Sequence, residues 1–293
     1  MENLLQFIAN GFMVGGVYSL IALSIVIVYK ATAIFNFAMG EFMLVGAFVC
    51  WAIVVMTPLP PWLGIIVALA VSVLLGLLVE RVVLRPMLGQ TILSQVMATI
   101  GLSVVLTGIV AFIWGPSTVA YPGGLLPKGA LRLEGVATFS YDLLWPFLIA
   151  VVIFAGLVWF FQRSSMGLRM RGVAEDHQLA QATGIDVSQV FAITWAIAAM
   201  VLGLCGILIG NRVGIGRGLT PQVGLKAFPA VLFGGLESIP GALIGGLVVG
   251  LLENLAAGLI DPKVGEITPY VILLLVLMFR PQGLFGLKRI ERI

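Results

Sequence analysis

The chain has 293 residues, of which 60% are apolar and only 10% charged, against roughly 45–50% apolar and about 25% charged in soluble domains. That composition excludes a soluble enzyme and leaves a polytopic, all-α membrane protein with no nucleic-acid partner. The net charge of +3 is small, so only the placement of charges along the chain is informative.

Nine apolar runs follow one another, at 4–28, 34–56, 62–84, 92–114, 143–161, 190–209, 223–236, 240–258 and 267–279. The first lacks a basic leader and a small-residue cleavage site, so it reads as a retained span and not a signal peptide. The second opens on Asn36-Phe-Ala-Met-Gly40-Glu41, a polar break whose carboxylate serves either helix capping and packing or a transport pathway. Glu80 and Arg81 close the third run, where local pairing or snorkelling accounts for both. The stretch 115–142 carries Pro116, Pro122, Gly123, Gly124 and Pro127. It reads as a surface loop, with weak alternation either side of Glu134-Gly135 compatible with a small hairpin. It is either a solvated connector or a contact for a partner.

The segment 162–188 is the one long polar run, and it reads as a docking loop. Glu175 and Asp176 suit the first turn of a short helix over 174–183, where the macrodipole favours anions, and Gly184 suits a left-handed C-cap. Asp186 followed by Gln189 reads as a capping box opening the next span. Small side chains at Ala174, Ala180, Ala182 and Thr183 would let a partner's cleft approach the backbone. His177, the only histidine, reads as a contact residue in that helix.

The run 190–209 leads into a glycine-rich turn at Gly214, Gly216 and Gly218. A crossing helix needs about 20 residues, so the runs 223–236 and 267–279 are short. The first of these contains Pro229 and ends at Gly234-Gly235, which predicts a half-helix or a kinked span. Eight or nine crossings result. Gly206/Gly210, Gly241/Gly245 and Gly246/Gly250 are pairs that allow close helix packing in lipid. Lys226 and Glu253 lie three and five residues inside the facing ends of the seventh and eighth runs, at similar depth. Either they form an ion pair or Lys226 attracts a solute carboxylate near the outer mouth, the remaining choice being simple snorkelling.

With nine crossings and an outer N-terminus, the inner side receives ten basic residues: Lys30, Arg81, Arg85, Arg163, Arg169, Arg171, Arg280, Lys288, Arg289 and Arg292. The outer side receives five: Lys128, Arg132, Arg212, Arg217 and Lys263. The excess places the 162–188 loop and the C-terminus in the cytoplasm and the N-terminus on the periplasmic side. No phosphate loop, zinc-protease helix, nucleophile elbow or Cys/His cluster occurs. Cys50 and Cys205 read as buried small hydrophobes.

Asn36 to Glu41, the loop core Ala174-Glu175-Asp176 with Ala180 and Gly184-Ile185, and Leu225-Lys226-Ala227-Phe228 followed by Gly234-Gly235 and on to Gly241 resemble the branched-chain amino acid ABC transporter permeases. The likeness runs in order over nearly the whole chain, as a single transmembrane domain at 1–293. It implies a type II-like importer permease fold in the bacterial inner membrane, paired with a second similar permease. It further implies two cytoplasmic ATPases that hold ATP and magnesium, and a periplasmic solute-binding protein. This chain itself would be no enzyme and would bind no cofactor or metal. Coupling would fall to Ala174, Glu175, Asp176, His177, Ala180, Gly184 and Ile185, with Asn36, Gly40, Glu41, Lys226, Phe228, Gly234, Gly235 and Glu253 as pathway or structural candidates.

Two departures stand out. Met39 occupies the position where the resemblance suggests histidine, which voids any role for that side chain. Glu175 and Gly184 are nine apart, unlike the shorter spacing of many importers, which favours the branch resembling vitamin B12 and ribose permeases. The implied solute is a branched-chain or other hydrophobic amino acid, with urea, amides and aromatic or short organic acids as alternatives. A stand-alone channel or secondary transporter is the reading from another class, but it would have no need of a small docking helix.

Overall fold

The computed structural model describes residues 2–87, 89–133, 137–216, 218, 223–280 and 282–286. These form α1 (Glu2–Thr32), α2 (Met39–Met56), α3 (Pro61–Val79), α4 (Ile92–Trp114), strands β1 (Ala130–Leu133) and β2 (Ala137–Ser140), and α5 (Tyr141–Arg163). They continue with α6 (Ser165–Glu175), α7 (His177–Ala182), α8 (Val187–Val213), α9 (Leu225–Gly234), α10 (Ile239–Leu259) and α11 (Pro262–Phe279). Eight of them (α1 to α5, α8, α10 and α11) are long and apolar enough to cross a membrane, which makes this a multi-pass membrane bundle. The last apolar run is not short after all. Asp261 caps its helix by accepting from the Lys263 N–H at 2.8 Å, so α11 starts at Pro262 and reaches 18 residues. Only α9 falls short: ten residues with Pro229 inside rise about 15 Å, half a bilayer.

The helices group into two compact units, to each of which α1 and α5 contribute. The unit made of Ile27–Leu126 and Ala155–Gly224 is built on α2, α3 and α8. Without water between helices, close van der Waals packing holds such a trio together. A methyl at Gly206 of α8 would run into the Met43 carbonyl of α2. Trp195, Phe42, Met43, Leu44 and Phe48 fill this core, while α4 turns Val104, Phe112 and Ile113 outward.

In the same unit, the first half of the 115–142 stretch is sewn down. Tyr121 donates to the Ala47 carbonyl at 2.9 Å, the Trp51 indole donates to the Ala120 carbonyl at 3.1 Å, and the Leu125 N–H donates to Asn211 Oδ1 at 2.7 Å. Burial pushes the Tyr121 phenol pKa upward, so it remains a donor. These contacts displace the picture of a plain solvated connector.

The other unit comprises Met1–Val26, Pro127–Phe154 and Leu225–Ile293. Here α9, α10 and α11 all pack against one another, and Gly250 meets the Gly15 backbone of α1. The chain after α11 returns to the end of α9, where Leu284 N–H donates to Phe233 O at 2.8 Å and Phe285 N–H to Gly234 O at 3.1 Å. Two carbonyls that a helix end leaves open are thereby satisfied, and α9 and α11 finish at the same end. Strands β1 and β2 pair antiparallel in the register Ala130↔Ser140 to Leu133↔Ala137. The turn expected at Glu134-Gly135 lies outside the described residues, as do Arg217 and the basic tail with Lys288, Arg289 and Arg292. The Gln6 amide docks on the hairpin with two 2.7 Å bonds to the Thr138 backbone, which ties the hairpin to the start of α1.

Candidate functional site

The 162–188 loop is two short helices, where the sequence suggested one. Ser164 caps α6 by accepting from the Gly167 N–H at 2.9 Å, and Arg171 donates to the Phe161 carbonyl. At Asp176 the backbone turns extended, and its Oδ1 accepts from Gln178 N–H at 2.8 Å and Leu179 N–H at 2.9 Å. Asp176 is therefore the N-cap of α7, not a first-turn residue of a helix over 174–183, because a free side-chain acceptor beside open N–H groups is the stronger local preference. Glu175 ends α6 and is exposed.

At the other end of α7, Gly184 takes φ 86°, and the Ile185 N–H donates to the Ala180 carbonyl at 3.1 Å. This is the six-to-one bond of a left-handed C-cap, which glycine enters without strain. Asp186 accepts from the Gln189 N–H at 3.1 Å and opens α8. Ala180 is 5% exposed, so it packs into its own chain instead of presenting a small surface to a partner. The other five residues of α7 are exposed, Leu179 being the large apolar one at 64%. His177 is exposed, yet its ring also reaches its own chain. Its Nε2–H donates to the Ala31 carbonyl at 3.0 Å, and its ring stands edge-on to Phe191 at 5.3 Å.

Among the intramembrane charges, Glu41 is 4% exposed and accepts from Ser103 at 3.1 Å and Thr107 at 3.4 Å. Thr99, a turn earlier on α4, donates to the Phe35 carbonyl at 3.1 Å. Residues 99, 103 and 107 share one helix face, so α4 turns a hydroxyl stripe to the start of α2. Asn36 Oδ1 accepts from the Ala38 N–H at 3.0 Å and shapes the entry turn. Gly40 is buried beside it, and Met39 is 1% exposed, a core residue.

Glu80 pairs with Arg85, not with Arg81, through Nε–Oε1 at 3.2 Å and Nη2–Oε2 at 3.3 Å. A π turn over Glu80–Leu84 brings residues five apart onto one face. Lys226 of α9 and Glu253 of α10 form an ion pair of 2.6 Å, their side chains 14% and 13% exposed. Glu253 Oε2 has no hydrogen-bond partner. Phe228 is half-buried two residues along from the lysine. At the far end of α9 Gly234 abuts Gly241 of α10, and Gly235 turns the chain with φ 104°. Cys50 and Cys205 are buried and free, and among the described residues no cluster of His, Cys, Asp and Glu could hold a metal.

Residues 7–278 match a family model described as branched-chain amino acid transport system, permease component. The chain is 31% identical to the high-affinity branched-chain amino acid transport system permease protein BraD of Pseudomonas aeruginosa, with 99% of this chain and 98% of that one covered. It is 30% identical to the high-affinity branched-chain amino acid transport system permease protein LivH of Escherichia coli, covering 99% and 97%. A probable branched-chain amino acid transport permease protein LivH of Methanocaldococcus jannaschii is 24% identical, covering 94% and 90%.

Proposed function

The chain belongs to the branched-chain amino acid transport system permease family, and on that premise we propose that it is the transmembrane subunit of an ATP-driven importer carrying a branched-chain or other hydrophobic amino acid into the cytoplasm. The observation that carries the reading is α7: a six-residue helix, capped at both ends, held by its own chain on one side and offering Leu179 on the other. So short a helix does not persist unaided. The caps and the buried Ala180 hold it as a rigid knob for an ATPase cleft.

With α9 counted as a ninth, broken passage beside the eight long helices, the chain sits in the bacterial inner membrane with its N-terminus outside and its C-terminus and the 162–188 loop inside, following the excess of Lys and Arg. It works with a second, similar permease, two cytoplasmic ATPases that hold ATP and magnesium, and a periplasmic binding protein that selects the solute. The fold is of the type II-like kind. When ATP draws the ATPases together, α6 and α7 are pushed and the spans tilt, so that a path between the two permeases opens to alternate sides.

The test is uptake. Vesicles holding this chain with the ATPase, second permease and binding protein of its neighbouring genes are expected to accumulate leucine only when ATP is supplied. Uptake of urea or benzoate in place of leucine would replace the solute and keep the architecture, whereas flux through the chain alone would overturn the importer. Orientation has its own test, since Gln181 and Lys128 are exposed and the native cysteines are buried. An impermeant maleimide added to intact cells is expected to label Lys128→Cys and spare Gln181→Cys until the membrane is opened. The reverse pattern would invert the topology.

A further inference from the structure

The position of His177 has a consequence for how the loop transmits force. The last carbonyls of a helix have no partner within it, and at the end of α1 the Ala31 carbonyl is among them. His177 Nε2–H donates to that carbonyl at 3.0 Å. The turn that follows is strained: Ala33 has φ 54°, the one non-glycine residue with positive φ among those described. Such a conformation persists where its surroundings over-determine it. Here Ala33 N–H donates to Tyr29 O at 2.7 Å, and Thr32 Oγ1 donates to Val28 O at 2.8 Å while accepting from the Ile34 N–H at 3.3 Å. The end of α1 is thus a fixed object, not a fraying terminus.

The imidazole is fixed as well. It occupies the first position of α7, next to the Asp176 cap, and its ring stands edge-on to Phe191 in the first turns of α8. One side chain on the six-residue helix therefore holds the end of α1, a helix of 31 residues, while bearing on α8. A hydrogen bond to a carbonyl is directional, so displacement of α7 pulls on α1 in a way that greasy contact alone would not reproduce.

Resting on the coupling reading of the loop, we propose that His177 is a positioning residue which transmits movement of α7 to α1 through its Nε2–H bond to the Ala31 carbonyl. Though exposed on α7, it acts in this reading through α1. The donor is what matters, and the ring is the scaffold that aims it.

The assembled transporter in vesicles separates the possibilities, with leucine as the transported probe and ATP hydrolysis measured in parallel. His177→Phe keeps a ring against Phe191 and removes the donor; His177→Gln keeps an N–H at a similar reach. For His177→Phe, leucine carried per ATP hydrolysed is expected to fall by about five-fold, the size of one hydrogen bond's net contribution, with the ATPases still co-purifying. His177→Gln is expected to recover most of the ratio. An unchanged ratio in His177→Phe, a parallel loss of uptake and hydrolysis, or no recovery in His177→Gln would each overturn the proposal. Leu179→Arg tests the reading beneath it, because a charge on the outward face of α7 is expected to release the ATPases. If Leu179→Arg leaves them bound, the coupling role of the loop fails; if it releases them and His177→Phe stays coupled, only the role of His177 fails.

Discussion

Replacing Lys226 by Met, or Glu253 by Gln, is expected to remove most of the folded permease from the membrane, and replacing both together is expected to restore it. The pair is short at 2.6 Å and largely buried, with 14% and 13% of the side chains exposed. Removing one member of such a pair leaves a charge without compensation and costs about 3–5 kcal/mol, whereas replacing both by neutral groups is often harmless. The imbalance is sharper here because Glu253 Oε2 already lacks a partner, so loss of the lysine strands the whole carboxylate. The lysine also matters to its own helix. α9 has ten residues and an internal proline, too little to hold itself, and the ion pair pins its first turn to α10. Folded protein is read by size-exclusion profile and transport by leucine uptake. A double variant that folds and transports marks a structural pair. One that folds but loses leucine while still passing a neutral solute would assign Lys226 to the pathway and defeat this expectation.

That pairing was legible in the sequence because two opposite charges in consecutive apolar runs, at matching depth, have little alternative to each other in lipid. The ends of α7 and α8 were legible for a similar reason: Gly184 and Asp186 obey rules that act within a few residues. Glu80 was harder. Its neighbour Arg81 looked the natural partner, and only the π turn, which no simple periodicity announces, swings Arg85 onto its face. The break at Asp176 was readable but mistaken, since an Asp beside a Glu fits both a first turn and an N-cap. The winning choice is decided by where α6 must stop. The burial of Ala180 and the contacts of His177 to Ala31 and Phe191 depend on what the distant segments α1 and α8 bring to the loop, which local pattern cannot supply. The hydroxyl stripe Thr99, Ser103 and Thr107 was present at helical spacing, yet it becomes meaningful only once Glu41 is known to lie opposite it. The glycine pairs were visible too, but the seam they build was not. On α8, Gly206 and Gly203 face Met43 and Gly46 of α2, while Gly210 faces Ile215.

The second large effect follows from that seam. Gly206→Ala is expected to abolish accumulation of folded permease, and Gly101→Ala to leave it unchanged or raise it. An alanine methyl at Gly206 would overlap the backbone carbonyl of Met43, and Met43 Cα lies 2.8 Å from the same point. Backbone atoms cannot step aside as the tip of a flexible side chain can, so α2 and α8 must separate along their length. Extra methylenes in a packed core cost about 1–3 kcal/mol even when side chains can adjust, and here the contact is backbone on both sides. Separation would also disturb Gly203, which sits against Ser72 of α3 and Gly46 of α2. At Gly101 of α4 a methyl would meet nothing within 4 Å, and alanine is favoured over glycine in a helix by roughly 0.5–1 kcal/mol. The two substitutions are chemically identical, both within apolar spans, so they differ only in what the methyl meets. Thermal unfolding in detergent compares them directly. Equal stability for the two variants would mean that α2 and α8 do not approach to backbone contact in the folded protein.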